Sequence, residues 1–276
     1  MRSHRLMAVA GILAAVALMG LSGCSSSDTA SNWTTGDPTD PGFMAVQDGV
    51  NTFIDSTLQY VSNGFYTQGM LISNGTIDPP SYVPINLDSD VVVTTYNANS
   101  GWHEIYVTRT ALAYGSHWRD SVQFRNSDGQ YQQNPSNAVE FSYRHHLAIA
   151  THDTSATSFK FDGHSSMEFS GINTNTGTVD GTHDWSFWGK TVTVDSSAWH
   201  WMTFNSNIHS LTFTKNGSDW LTPPASGSVT ATLEHIYKKD TAAPDTTSWN
   251  VNVHFGSSNI VTITQGDVAW SYVYGQ

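Results

Sequence analysis

From Val139 to Ile149 every second residue is apolar, aromatic or an imidazole. The series is Val139, Phe141, Tyr143, His145, Leu147 and Ile149, with Glu140, Ser142, Arg144, His146 and Ala148 between them. Successive side chains of a strand point to opposite faces, so this run demands a β-strand with one buried side. Within the wider segment Ala138–Ala150 it is the longest such run, and shorter ones surround it. They are Val91–Tyr96, His103–Arg109, Ser158–Phe161, Val192–Val194, Val229–Tyr237, Val251–Phe255, Ile260–Ile263 and Val268–Tyr274. Turn-forming pairs (Asp128-Gly129, Asp162-Gly163, Asn216-Gly217) are expected to separate them.

The palette supports the same class. Charged residues make up only 12% of the chain, about half the usual share. The polar surface must therefore come from Ser, Thr, Asn and Gly, which suits strands and turns better than long surface helices. One helix is expected over 43–62. Asp40-Pro41-Gly42 opens it, and an apolar stripe follows at Phe43, Val46, Val50, Phe53, Ile54, Leu58 and Val61. Asn63-Gly64 closes it. Residues 65–90, with Pro79, Pro80 and Pro84, read as irregular. The polar segment 25–41, with Pro38 and Pro41, reads as a flexible tether.

Four blocks recur in the same order. Trp102-His103 matches Trp199-His200. Phe124, Tyr131 and Pro135 match Phe213, Trp220 and Pro224 at equal spacings. Val139, Phe141, Tyr143 and His145 match Val229, Ala231, Leu233 and His235. Trp185-Ser186-Phe187 matches Trp270-Ser271-Tyr272. The expectation is two related antiparallel β units, 91–189 and 190–276, packed as a barrel, clam or sandwich within one domain, 42–276. Such packing would hide the edge strands.

The N-terminus sets an address. A basic start (Arg2, Arg5) precedes an apolar run from Leu6 to Leu21, and Leu21-Ser22-Gly23-Cys24 follows. The apolar run is short for a membrane span. These residues resemble the lipobox of bacterial lipoproteins. The resemblance implies a leader over 1–23, cleavage before Cys24, diacylglycerol on its sulfur and acylation of the new amine by a palmitate-type chain. Two acyl chains suffice for stable anchoring. Ser25 resembles the residue that sends Gram-negative lipoproteins to the outer membrane. Cys24 is the chain's one cysteine, so no internal disulfide or cysteine-based metal site can form.

The net charge is −12, and Arg2 and Arg5 would leave with the leader. So acidic a body is repelled by phosphate backbones, which argues against a nucleic-acid partner. The basic residues look scattered along the chain.

Twelve histidines are the oddest feature of the composition. His103, His200, His145 and His235 occupy equivalent places in the repeat and are the candidate metal ligands, although no known ligand spacing is present. Core imidazoles satisfied by neighbours are the bland alternative. No elbow motif accompanies Ser186, and only four Glu are available for paired carboxylates. The sequence therefore points away from catalysis and to no cofactor. Among the tryptophans, Trp102, Trp199, Trp185 and Trp270 are expected in the core. Trp118, Trp188, Trp201 and Trp220 are the candidates for lining a ligand site. The expected function is a cell-envelope lipoprotein that binds a small apolar ligand or a glycan. The alternatives are an assembly protein acting through protein contacts, and a histidine-dependent metal-binding protein or enzyme.

Overall fold

The computed structural model describes residues 34–39, 43–44, 46–52, 54–55, 58, 72–73, 76–77, 90–110, 114–133, 137–151, 157–193, 196–217, 219–221 and 223–275. The leader, Cys24, the helix positions Phe53 and Val61 and the repeat residue Pro135 lie outside them, as does the side chain of Trp118.

The strands in chain order are β1 (Thr34–Thr35), β2 (Ile72–Ser73), β3 (Thr76–Ile77), β4 (Asp90–Asn97), β5 (Trp102–Thr110), β6 (Tyr114–Arg125), β7 (Tyr131–Gln132) and β8 (Glu140–Thr151). They continue as β9 (Thr157–Ser170), β10 (Thr176–Val192), β11 (Ser197–Asn216), β12 (Asp219–Trp220), β13 (Ser226–Lys239), β14 (Asp245–Phe255), β15 (Ile260–Gln265) and β16 (Val268–Val273). The helix, α1, lies within residues 43–58.

Among the described residues the chain is all-β apart from α1, and nearly all of its strands build one large sheet. The order is β1-β16-β15-β14-β13-β11-β10-β9-β8-β6-β5-β4, with β7 folded back on β6 and β12 on β11. From β4 to β16 every neighbour is antiparallel and next in sequence apart from those two short strands. β2 and β3 pair separately. The sheet path ends at β4 and β1, so closure into a barrel, one of the three expected packings, is not made among the described residues. The boundary set at 189/190 falls inside β10, and the ladder runs through it unbroken.

Alternation decides what faces the core. Along β11 the buried residues are Met202, Phe204, Ser206, Ile208, Leu211 and Phe213, with exposed Asn205, Asn207 and His209 interleaved between Phe204 and Leu211. Val229, Ala231, Leu233 and His235 of β13 face the same way, as do Phe141, Tyr143 and His145 of β8. Each fully buried Leu, Val or Phe contributes about 1.5–3 kcal/mol. A β-bulge between Val179 and Gly181 bends the longest strands. Gly181 has φ 152°, and an added Cβ would sit 2.1 Å from the Ser166 carbonyl oxygen, so only glycine fits the bend. Asp180 accepts a hydrogen bond from Ser210 N at 2.8 Å, tying the bend to β11.

The apolar stripe of α1 covers the C-terminal end of this face. Phe43, Val46, Val50, Ile54 and Leu58 are all buried. Phe43 stacks on Trp270 at 5.1 Å. Tyr272 Oη donates to Asn51 Oδ1 at 2.7 Å, and Tyr274 Oη donates to Asp55. Burial and the Asp48 charge push the Tyr272 phenol well above its ordinary pKa. No helix among the described residues is long and apolar enough to cross a membrane.

The tether expectation needs correction at its end. Thr34 and Thr35 pair in parallel with Val268 and Ala269, and Gly36 N donates to the Ala269 carbonyl at 2.8 Å. Gly36 lies against the Trp270 ring, which donates through Nε1 to the Asp37 carbonyl at 3.1 Å. The open edge of β16 offers unpaired backbone groups, and a threonine-rich segment satisfies them. Asp162-Gly163, expected as a turn, sits in mid-strand in β9.

Candidate functional site

Three groups of side chains carry the sheet's chemistry. The first is a polar row across the buried face. Cross-strand register aligns Asp120, His145, Ser165, His183 and Ser206 on β6, β8, β9, β10 and β11. His145 Nδ1 donates to Asp120 Oδ1 at 2.7 Å, and Tyr143 Oη donates to the same oxygen at 2.9 Å. Ser165 Oγ lies 2.6 Å from His183 Nδ1, and Ser206 Oγ donates to the His183 carbonyl at 2.6 Å. Burial, then the His145 charge, pushes the His183 pKa down to about 4. Asp120, His145, Ser165 and Ser206 are all buried. The row is thus paired to itself and serves the core.

The expected metal ligands do not converge. His103 is fully buried against Tyr96 and Phe124, at ring distances of 4.4 and 6.1 Å. Burial pushes its pKa down, and the nearby Gln133 backbone opposes this. His145 is taken by Asp120. Only His200 and His235 meet, with Nδ1 and Nε2 3.1 Å apart and rings parallel within 2°. Burial and the His200 charge push the His235 pKa down to about 4, against an opposing pull from Asp245. Inward-facing positions on different strands lie too far apart along the sheet for all four to share one ion.

The second group lines a half-open groove of about 550 Å³. It runs across β6, β8, β9, β10 and β11 and touches Gly115, Ala148, Ala150, Lys160, Trp188 and Trp201, with His117, Asp162, Ser186 and Thr203 beside them. These residues alternate with Ile149, Phe161, Phe187 and Met202, which belong to the core-facing set, so the groove lies on the opposite, outer face. Trp188 and Trp201 are direct register partners. The small residues Gly115 and Ala150 continue the same row and leave the space open.

Basic residues gather here, contrary to the scatter read along the chain. Trp199 lies two residues from Trp201 on the same face, between Lys190 and Lys238 in the ladder. Both lysine Nζ atoms are 5.7 Å from the Trp199 ring centre. Lys160 pairs with Trp188 in register. Strand pairing juxtaposes lysines that are far apart in sequence, which a linear reading does not reveal.

Of the four tryptophans expected at a ligand site, the structure brings Trp188 and Trp201 together. Trp220 is instead buried, with Lys215 Nζ 4.4 Å from its ring centre. Trp118 sits in β6 opposite Val107 and Leu147. Trp185 and Trp270 pack against the core as expected. Trp102 and Trp199 do not, because His103 and His200 beside them take the inward positions. Trp102 carries Arg144 over its ring at 4.3 Å.

The third group also lies on the outer face. Asp162 Oδ1 is 3.3 Å from His146 Nε2 and 2.6 Å from His164 Nε2, and the two imidazoles stack at 4.2 Å. The sequence held a signal for it. His146 has outward parity in the 139–149 alternation, and Asp162 and His164 are two apart, but the turn assigned to Asp162-Gly163 concealed their common face. Comparison with protein-family models, with curated proteins and with solved structures finds no match to this chain.

Proposed function

We propose that this chain is a lipid-anchored protein of the cell envelope, held through Cys24, whose β body binds a glycan in the outer-face groove without catalysing a reaction. The observation that carries the reading is the Trp188–Trp201 pair over a groove of about 550 Å³. A sugar ring has an apolar face that lies flat on indole and a rim of hydroxyls that need hydrogen-bonding groups. Lys160, Asp162, Ser186 and Thr203 supply such groups at the groove. The groove is open and flanked by charges, whereas an apolar ligand calls for an enclosed, dry cavity. Lys160, Lys190 and Lys238 favour a glycan bearing acidic substituents.

The duplication fits this reading as the origin of the long meander. In both proposed units the Trp of the first block faces outward under a cation while its His faces inward, and the second block folds back as a short hairpin. In both, a cation lies over the repeated aromatic: Arg125 over Tyr131 and Lys215 over Trp220.

The test is tryptophan-fluorescence and calorimetric titration with uronic-acid, sulfated and neutral oligosaccharides. Binding of an acidic member, lost in Trp188→Ala and Trp201→Ala with unchanged circular dichroism, supports the reading. No binding to any member of the panel overturns it, as does binding indifferent to both substitutions.

A further inference from the structure

We propose that His146, Asp162 and His164 form a binding site for a divalent first-row transition ion of the zinc type. Two imidazoles and one carboxylate are a common ligand set for such ions, with a further position left to water or a ligand. The three ligand atoms all lie within 4.8 Å of one another. Ligands about 2.0–2.2 Å from a tetrahedral ion stand roughly 3.3 Å apart. The His146–Asp162 separation of 3.3 Å already matches that edge.

A second observation points to a missing ligand. His146 Nε2 is buried from water and makes no hydrogen bond, although Asp162 Oδ1 is near it. The carboxylate oxygen stands close enough to share an ion with that nitrogen, yet out of line to accept its proton. A buried ring nitrogen without a hydrogen bond is costly, and an ion shared with the Asp162 oxygen would satisfy it. His164, 61% exposed, leaves an approach from solvent. Ion entry would open the 2.6 Å Asp162–His164 contact and fan out the stacked rings, both rotations of side chains at the surface.

The site depends on the strand ladder. His146 and His164 are register partners on β8 and β9, and Asp162 is the next outward residue of β9. It does not rest on the glycan reading, although Asp162 also borders the groove.

The experiment uses the full chain in detergent micelles, stripped with chelator and titrated with Zn2+ alone by calorimetry, then with Co2+ by visible absorption. Zn2+ should bind, Co2+ should give absorption bands of nitrogen and oxygen ligation, and Asp162→Asn or His164→Gln should weaken binding at least about tenfold. His209→Gln, a histidine elsewhere on the outer face, should leave it unchanged. Absence of Zn2+ uptake overturns the proposal. Uptake that survives His146→Gln/His164→Gln, or that is lost in His200→Gln instead, also overturns it, the last by placing the ion at the His200–His235 pair.

Discussion

His145 Nδ1 lies 2.7 Å from Asp120 Oδ1 between β8 and β6, and both side chains are buried. Tyr143 Oη donates to the same oxygen. Two donors on neighbouring positions of β8 thus depend on one carboxylate of β6. Removing that carboxylate leaves both in the core without it, whereas an amide oxygen could still accept one bond. Asp120→Ala should therefore cost about 3 kcal/mol and Asp120→Asn clearly less. Urea unfolding followed by circular dichroism measures both. Equal losses would show that the pair carries no specific bond.

Stability should fall on mild acidification. His183 and His235 are held down from 6.5 to about 4 in the fold. In the unfolded chain they take up protons near their ordinary value. Between these limits the unfolded state binds more protons, so stability drops as pH falls from about 6.5 toward 4. The acid penalty is absent above that window and complete below it. The loss is on the order of 3 kcal/mol per histidine at most. His235→Gln should flatten the slope of the urea midpoint against pH; a slope unchanged by that substitution would refute the assignment.

The fold class and the helix were legible because their signals are local. Period two in β8 and β13, and steps of three and four through Phe43, Val46, Val50, Ile54 and Leu58, need no partner to be read. β6, β10 and β11 escaped for a physical reason. Their inward positions include Asp120, His183 and Ser206, which sit on the core face because neighbouring strands satisfy them. A polar residue in a core position breaks the apolar alternation that betrays a strand. The candidate sites were legible residue by residue but not as groups. Trp188 with Trp201, and His146 with Asp162 and His164, meet through ladder register, which depends on loop lengths and bulges such as that at Gly181.

The docking of α1 should be a large part of the stability at the C-terminal end of the sheet. Ile54 is 2% exposed, in the middle of the buried stripe. Ile54→Ala removes three carbons from a packed site and should cost about 3 kcal/mol. If the urea midpoint moves no more than for a surface substitution, α1 does not pack on the sheet in solution.

Cys24→Ser should move the protein from the membrane fraction to the soluble fraction. One thioether-linked diacylglycerol and one amide-linked acyl chain would supply the anchoring energy, at about 0.8 kcal/mol per buried methylene. Intact mass spectrometry of the wild-type protein should show the acyl mass on a chain beginning at Cys24. A Ser variant that stays with membranes, or a wild type without acyl mass, removes the anchor from the proposed function.

Gly36→Ala tests whether the end of the tether is part of the body. An added Cβ would fall 2.0 Å from the Trp270 ring, so either the ring or β1 must move. The ring is held on its other partner, Phe43, by stacking at 5.1 Å, while β1 has only two paired residues. β1 should therefore be the part that yields. Overpacking of this kind costs about 1–3 kcal/mol if the structure resists and less if a short strand peels away. The expected result is a small loss of stability with faster proteolysis within 34–39 and a change in Trp270 emission. Unchanged cleavage in that segment would mean that β1 is not docked on β16 in solution.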